Sequence, residues 1–367
     1  MAYNILGINP FHNGSACVLS DGKLVYYLEE ERISKLKYDP NPFRVILDIL
    51  NRFDIHEIAI GGINIERKSL YYNQEEIFEG FLKKYIPHIK VTNYSHSHHL
   101  LHFTQAYSNS GFDNALGIVH DAGGSVYSSK DNENIQETYS IFKCSNNSLP
   151  INLDKKFTPK ISNVYSIGIA SSYSAMCYHL GFRHNEEGKV MGLSSYGKNI
   201  HNFPSLFENF FSKKELISED VKEDGFRYSH INNKIFSSSN SFEWHKDSSK
   251  ITDYEYNLAF HIQNESQNEM LEFIKEQVYK YNIKNVICSG GFFLNCVANY
   301  YYKKQLPDIN FYFSPISHDG GTSVGAAFLK WKELNSNFNS LKEKTIYYGP
   351  QYSKDQLLEG IQKYVSN

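Results

Sequence analysis

Cysteine is scarce and unpaired in this sequence: Cys17, Cys144, Cys177, Cys288 and Cys296 lie scattered over 367 positions with no C-x-x-C spacing. That speaks against a disulfide framework or zinc knuckle and fits free thiols in a reducing cytoplasm. No apolar stretch approaches the roughly 18 residues of a membrane span. The start, Met-Ala-Tyr-Asn-Ile-Leu-Gly, has no basic region followed by an apolar one. The expectation is a cytoplasmic protein that crosses no membrane. An excess of one charge is missing too, since 37 Lys and Arg face 40 Asp and Glu, for a formal net charge of -3. No whole-protein field therefore draws the chain onto nucleic acid or anionic lipid, which leaves a nucleic-acid substrate only a local patch.

What is present is globular. Apolar residues make up 41% of the chain, with 28 Tyr and 25 Phe, enough to fill one large core or two moderate ones. Apolar runs at Tyr3 to Ile8, Ser15 to Leu19 and Lys23 to Glu29, the last two joined by Asp21-Gly22, read as three strands. Roughly a hundred residues later the order returns: Ala115 to His120, Gly124 to Ser128, a polar turn from Lys130 to Asn134, then Ile135 to Phe142. Asn13-Gly14-Ser15 in one copy matches Gly123-Gly124-Ser125 in the other.

Helix and strand alternate after each triple. Pro42 to Arg52 then Glu57 to Ile60 follow the first. After the second come a helix from about Asp253 to Tyr281, a strand Asn285 to Ser289, a helix from Phe292, a strand Asn310 to Phe313 and a helix from Gly321. This predicts an α/β chain of two lobes with a cleft between them. It resembles the actin, sugar kinase and heat-shock ATPase superfamily, in which nucleotide lies between duplicated ribonuclease H-like lobes. The polar stretch from Lys198 to Ser249 reads as an insertion or surface loop.

The densest chemical signal is Ser95-His96-Ser97-His98-His99-Leu100-Leu101-His102. On a helix, His98 and His102 share a face one turn apart and can offer two imidazoles to one metal, while His96 and His99 point elsewhere. Spacing alone leaves packing as the commoner outcome, so carboxylates are needed. Asp121 ends a strand before Ala122-Gly123-Gly124, and Asp319 stands between a strand and Gly320-Gly321. Each can instead serve its own turn, Asp121 as a turn cap and Asp319 as an N-cap. Two imidazoles and two carboxylates would suit Fe2+, Mn2+ or Zn2+ with positions left for oxygen ligands.

Two further segments can meet a nucleotide or anion. Ser289-Gly290-Gly291 opens a helix after a strand, and Lys189 sits in a glycine-flanked turn that is not a Walker A loop. The run from Glu29 to Arg32, with Lys35 and Lys37, reads by itself as a solvated strand end.

Taken together, seven ordered segments resemble the O-carbamoyltransferase family of nodulation-factor, cephem and tobramycin enzymes. They are Gly7 to Ala16, Glu29 to Lys37, His98-His99 with His102, and Ser110-Gly111-Phe112 with Asp121. Further on come Glu187 to Leu193, Ser289-Gly290-Gly291 with Leu294 to Asn299, and Asp319 to Thr322 with Gly325-Ala326-Ala327. The resemblance implies a domain like the tRNA threonylcarbamoyltransferase catalytic subunit, with metal on His98, His102, Asp121 and Asp319, Fe2+ foremost. It implies carbamoyl-adenylate in the cleft, its adenosine near Gly290, Gly291 and Asn295, with Gly123, Gly124, Lys189 and Gly320 as further contacts. An acceptor hydroxyl would attack the carbamoyl carbon and release AMP, with His12 as the candidate base and Lys37 as its electrostatic partner.

The same resemblance divides the chain into a carbamoyltransferase domain at 1–345, in lobes of about 1–95 and 96–345, and a stub at 346–367. That stub, with Tyr347-Tyr348-Gly349-Pro350, resembles the entry into a threonylcarbamoyl-adenylate-synthase-like domain. In the family that domain makes the adenylate from carbamoyl phosphate and ATP with Mg2+, and it is expected to be absent here. A separate adenylate-forming protein is then one expected partner, and a homodimer is left open. A tRNA threonylcarbamoyltransferase-like subunit and a non-catalytic nucleotide-binding partner stand as alternatives. Small molecules, sugars and hydroxymethylated bases all remain as acceptors, selected by residues between Lys130 and Ser162 and between Lys198 and Ser249.

Overall fold

The computed structural model describes residues 2–63, 74–128, 134–159, 168–183, 185–201, 251–335, 339–342 and 344–365. Residues 130–133 of the expected turn, 202–249 of the expected insertion and 160–162 of the expected acceptor region lie outside the described residues.

The first sheet is built from β1 (Asn4–Asn9), β2 (Ser15–Ser20) and β3 (Lys23–Glu29), an antiparallel meander. To it β4 (Glu57–Ile60) and β5 (Lys90–Asn93) are added parallel to β1, in the order β3-β2-β1-β4-β5. Every residue of β1 and β4 is buried. A strand covered on both faces reads as a continuous apolar run rather than an alternation, which is why these strands are legible in the sequence. Helices α1 (Glu31–Ser34), α2 (Phe43–Arg52) and α3 (Gln74–Tyr85) belong to this half.

The second sheet repeats the plan with β6 (Asn114–His120), β7 (Val126–Ser128), β8 (Asn134–Ser145), β9 (Ile151–Pro159), β10 (Asn285–Ser289) and β11 (Asn310–Phe313). The expected correspondence of strands needs one correction. β6 pairs directly with Tyr139 to Ser145 of β8, β7 pairs with Asn134 to Gln136 of the same strand, and β9 lies on the far edge. The antiparallel triple equivalent to β1, β2 and β3 is thus β6, β8 and β9. β7 continues the line of β6 after an interruption at Asp121 to Ser125, and that break lets Asp121 leave the sheet.

The remaining helices are α4 (His98–Ser110), α5 (Ile169–His179), α6 (Glu187–Leu193), α7 (Asp253–Tyr281), α8 (Cys296–Gln305), α9 (Gly321–Leu334) and α10 (Lys354–Val365). The expected helix from Phe292 is a single 3-10 turn, Gly291–Leu294, and α8 begins only afterwards, because Asn295 accepts the Ala298 N–H and caps it. Among the described residues no helix is long and apolar enough to cross a membrane, and all five cysteines are free thiols, four of them buried.

Helices α4 and α9 fill the space between the sheets. One apolar cluster joins Leu101, Phe103 and Tyr107 of α4 to Ala326, Ala327 and Phe328 of α9, to Ile5 of β1 and to Ile287 of β10. Two more clusters cover the outer faces, around α2 and around α5, α7 and α8. The helix pair is close enough that a Cβ at Gly325 would strike the Leu101 carbonyl. Helix α9, although late in the chain, packs on β1, β2 and β4 of the first sheet as well as on α4. It therefore joins the two halves.

Candidate metal centre and cavity

Helix α4 opens at His98, and its period sets His98 and His102 on one face with their Nε2 atoms 3.1 Å apart. Asp121 stands where β6 breaks off, and Asp319 in the turn between β11 and α9. Asp121 Oδ2 lies 3.2 Å from His98 Nε2 and 3.4 Å from His102 Nε2, and Asp319 Oδ1 lies 3.6 and 3.5 Å from the same atoms. Separations of 3.1–3.6 Å are those expected between neighbouring ligands of one ion held at metal–nitrogen or metal–oxygen bonds of about 2 Å. All four residues are buried and their ligand atoms lie within 4.8 Å of one another.

The surroundings orient these ligands. His98 Nδ1 is 2.9 Å from the Gly62 carbonyl, which can only accept, so the Nδ1 hydrogen is fixed there and the Nε2 lone pair faces the cluster. Gly62 is held in turn by its N–H to Thr322 Oγ1, and the Thr322 hydroxyl donates to the Asp319 carbonyl. Asp121 Oδ1 accepts from the N–H groups of Ala122 and Gly291, leaving Oδ2 for the imidazoles. Asp121 thus serves its turn through Oδ1, while Oδ2 faces the two imidazoles. Asp319 does not cap α9, whose N-cap is Gly320. Burial opposes charge on His102, yet hydrogen bonds to Asp121 and Asp319 push it up to about 9. Burial raises both carboxylates and Asp319 further raises Asp121, but the histidines around them hold both below the usual range.

Of the other two histidines of the motif, His96 is exposed and His99 turns to β8. His99 Nδ1 bonds Ser140 Oγ at 2.8 Å, and burial drives its pKa down to about 4.

The cluster opens on a cavity of about 480 Å³, whose polar lining includes His12, Glu29, Asp121, Asn295, His318 and Asp319. His12 Nε2 is 2.9 Å from Asp319 Oδ2, and its Nδ1 is 3.0 Å from Asn13 Oδ1. Burial works against charge on His12, but Asp319 prevails and pushes it up to about 9. Lys37 also lines the cavity, with its ammonium 3.1 Å from Glu31 Oε1.

Among the expected nucleotide contacts, Gly123, Gly291 and Asn295 line the cavity, whereas Gly124, Lys189, Gly290 and Gly320 do not. Lys189 turns to Glu186 at 2.7 Å, and Gly290, at φ 97°, lets β10 end against the His120 backbone. Gly124 packs against Glu137 and His99, and the Gly320 carbonyl accepts from Ser15 Oγ at 2.7 Å.

Two groups were hidden from sequence reasoning. His318 reaches Glu29 at 3.4 Å, and Glu29 also faces Asn13 and Tyr27. The acidic run was expected to be solvated, but Glu30 is 2% and Glu31 9% exposed. Glu30 accepts the Arg44 and Val45 N–H groups at the start of α2, and Glu31 accepts from Lys37 and the Tyr38 N–H. Three consecutive carboxylates equally describe a solvated end, so the run by itself does not signal burial.

A family model described as carbamoyltransferase N-terminus matches residues 83–328, about two thirds of the chain. Among curated relatives, nodulation protein NolNO of Sinorhizobium fredii is 23% identical over 369 residues, 95% of this chain and 50% of that protein. Nodulation protein NolO of Bradyrhizobium diazoefficiens is 21% identical over 72% of this chain and 43% of its own length. The chain thus spans about half the length of the curated relatives it matches. Among solved structures, full-length HypF in a phosphate- and nucleotide-bound form superposes with a TM-score of 0.56 at 13% identity, over 91% of this chain and 56% of that one. The HypF of T. kodakarensis does so with a TM-score of 0.53 at 12% identity, over 90% and 48%. These likenesses bear out the duplicated actin-like α/β fold, and the family match settles the lineage: the chain belongs to the carbamoyltransferase family, in its N-terminal part.

Proposed function

We propose that this chain performs the transfer step of an O-carbamoyltransferase, moving a carbamoyl group from carbamoyl-adenylate to a hydroxyl of a small molecule, sugar or hydroxymethylated base. The observation that carries the reading is the buried His98, His102, Asp121 and Asp319 set, spaced for one divalent metal and opening on a cavity large enough for a nucleotide-sized ligand. The likeness to a HypF solved with phosphate and nucleotide supports an adenylate in that cavity.

The residue types fit Fe2+, with Mn2+ or Zn2+ as alternatives. Such an ion, when bound, supplies Lewis acidity toward the adenylate phosphate or carbonyl oxygen. The chain's own groups do the rest. Gly123, Gly291 and Asn295 flank the adenosine. His12, its Nε2 held 2.9 Å from Asp319 Oδ2, is the group that takes the acceptor proton; a cation held at Asp319 Oδ1 would draw charge from that carboxylate and weaken its grip on the imidazole proton. Lys37 contributes positive charge at the rim, moderated by Glu31. Synthesis of the adenylate from carbamoyl phosphate and ATP, with Mg2+, falls to a separate adenylate-forming protein or domain.

The test is incubation of purified chain with iron, carbamoyl phosphate, ATP and a hydroxyl panel that includes hydroxymethylated DNA. Mass spectrometry reads the gain of about 43 Da expected for a carbamoyl in place of hydrogen. Product that needs an added adenylate-forming protein supports a transfer half, and His98→Ala and Asp319→Ala should then abolish it. No product from any arm, with nucleotide still bound, would replace this reading by a non-catalytic nucleotide-binding subunit.

A further inference from the structure

The loop between α1 and α2 reaches the segment before α6 at the cavity. Tyr38 donates its hydroxyl hydrogen to the Asn185 carbonyl at 2.7 Å, joining residues 147 positions apart. Both residues line the cavity, Tyr38 from the side of the first sheet and Asn185 from the side of the second.

The two ends of this bridge are held in an uncommon backbone state. Tyr38 has φ 59° and Asn185 φ 63°, and Lys35, three residues before Tyr38, has φ 62°. For a bulky residue such as Tyr the left-handed region is disfavoured, so something must hold it there. Glu31 does so: it is 9% exposed, its Oε2 accepts the Tyr38 N–H at 3.0 Å, and its oxygens take the Lys37 ammonium at 3.1 and 3.2 Å. The same ammonium lies 4.7 Å from the centre of the Tyr38 ring. One buried carboxylate thus sets the backbone, the cation and the ring of a strap whose tip is the cross-cavity bond.

We propose that Tyr38 is a positioning residue: its bond to Asn185, aimed by Glu31, pins the two walls of the cavity together and controls entry to the metal-ligand cluster. This bond joins the cavity walls whatever the acceptor or metal. A bond between opposite walls resists their separation, whereas a side chain that served only its own loop would leave the far wall indifferent to its loss.

The experiment compares the full chain with Tyr38→Phe, which keeps the ring and removes the hydroxyl, and with Glu31→Gln. Amide hydrogen exchange read by mass spectrometry should quicken about fivefold, the scale of one net hydrogen bond, in residues 35–41 and also in 185–193. Exchange in β6 should stay unchanged. In the same proteins, diethylpyrocarbonate should label cavity-lining His12 about fivefold faster, while labelling of His56, which is exposed and outside the cavity lining, serves as the control. Glu31→Gln should move both readouts in the same direction. Faster exchange confined to 35–41, or His12 labelling unchanged relative to His56 in Tyr38→Phe, overturns the proposal. Neither readout needs nucleotide, metal or turnover, so failure here is distinct from failure of the transferase reading.

Discussion

Thr322 Oγ1 accepts the Gly62 N–H at 3.1 Å and donates to the Asp319 carbonyl, while the Gly62 carbonyl fixes the ring of His98. A single hydroxyl outside the ligand set thereby couples two of its members. Thr322→Val keeps the shape and removes the hydroxyl. Titration calorimetry with Mn2+ or Co2+ should show affinity weaker by roughly 10- to 100-fold, as for other groups that orient metal ligands. Unchanged affinity would dissociate Thr322 from the ligands.

Loss of a ligand itself should be worse. His98→Ala is expected to weaken the same metals by more than about 100-fold, since it removes a bond rather than an orienting contact. His99→Gln, one position along, should leave metal affinity within a few-fold and lower thermal stability instead, because His99 bonds Ser140. The pair separates ligation from packing within one motif.

Acid should destabilise the fold through its buried neutral imidazoles. Burial lowers His120 to about 3, and its Nε2 accepts the Ala170 N–H, a bond that a protonated ring cannot make. An unfolded histidine titrates near 6.5. The folded pKa is the lower one, so the unfolded chain binds the extra proton, and this contribution is complete above about 6.5 and is lost as pH falls toward about 3. His99, at about 4, acts in the same sense over a narrower window. Urea unfolding of wild type and His120→Gln at pH 7 and pH 5 should show the smaller pH difference in the variant. Equal differences would contradict a neutral buried His120.

Two glycine substitutions should move stability in opposite directions. Gly325→Ala puts a Cβ into the Leu101 carbonyl where α9 crosses α4, and should cost several kcal/mol or prevent folding. Gly192→Ala, in α6, meets nothing within 4 Å and should add about 0.5–1 kcal/mol by removing backbone freedom from the unfolded chain. Thermal denaturation reads both.

Much of the architecture was legible because buried strands and capped helices carry local signatures. The limits expected for α7, β10 and β11 agree with those observed, as follows for a helix whose start is a Thr252–Glu255 capping box and for strands written as apolar runs. The correspondence of β7 was misread because strand pairing is a non-local choice. A short apolar segment after a glycine turn looks the same whether it forms a new strand or resumes an old one.

At the cluster, the spacing of His98 and His102 places them on one helix face, since 3.6 residues per turn leaves no alternative once α4 forms. The sequence also shows Asp121 at a strand end and Asp319 between a strand and a helix, each close to a glycine pair. Their convergence depends on long-range packing, because the two carboxylates are 198 positions apart in the chain and meet where α4 and α9 pack between the sheets. The burial of Glu30 and Glu31 and the span from Tyr38 to Asn185 were likewise decided by packing. A charge or a hydroxyl has the same local sequence in water as in a core, and its partners are chosen by the fold.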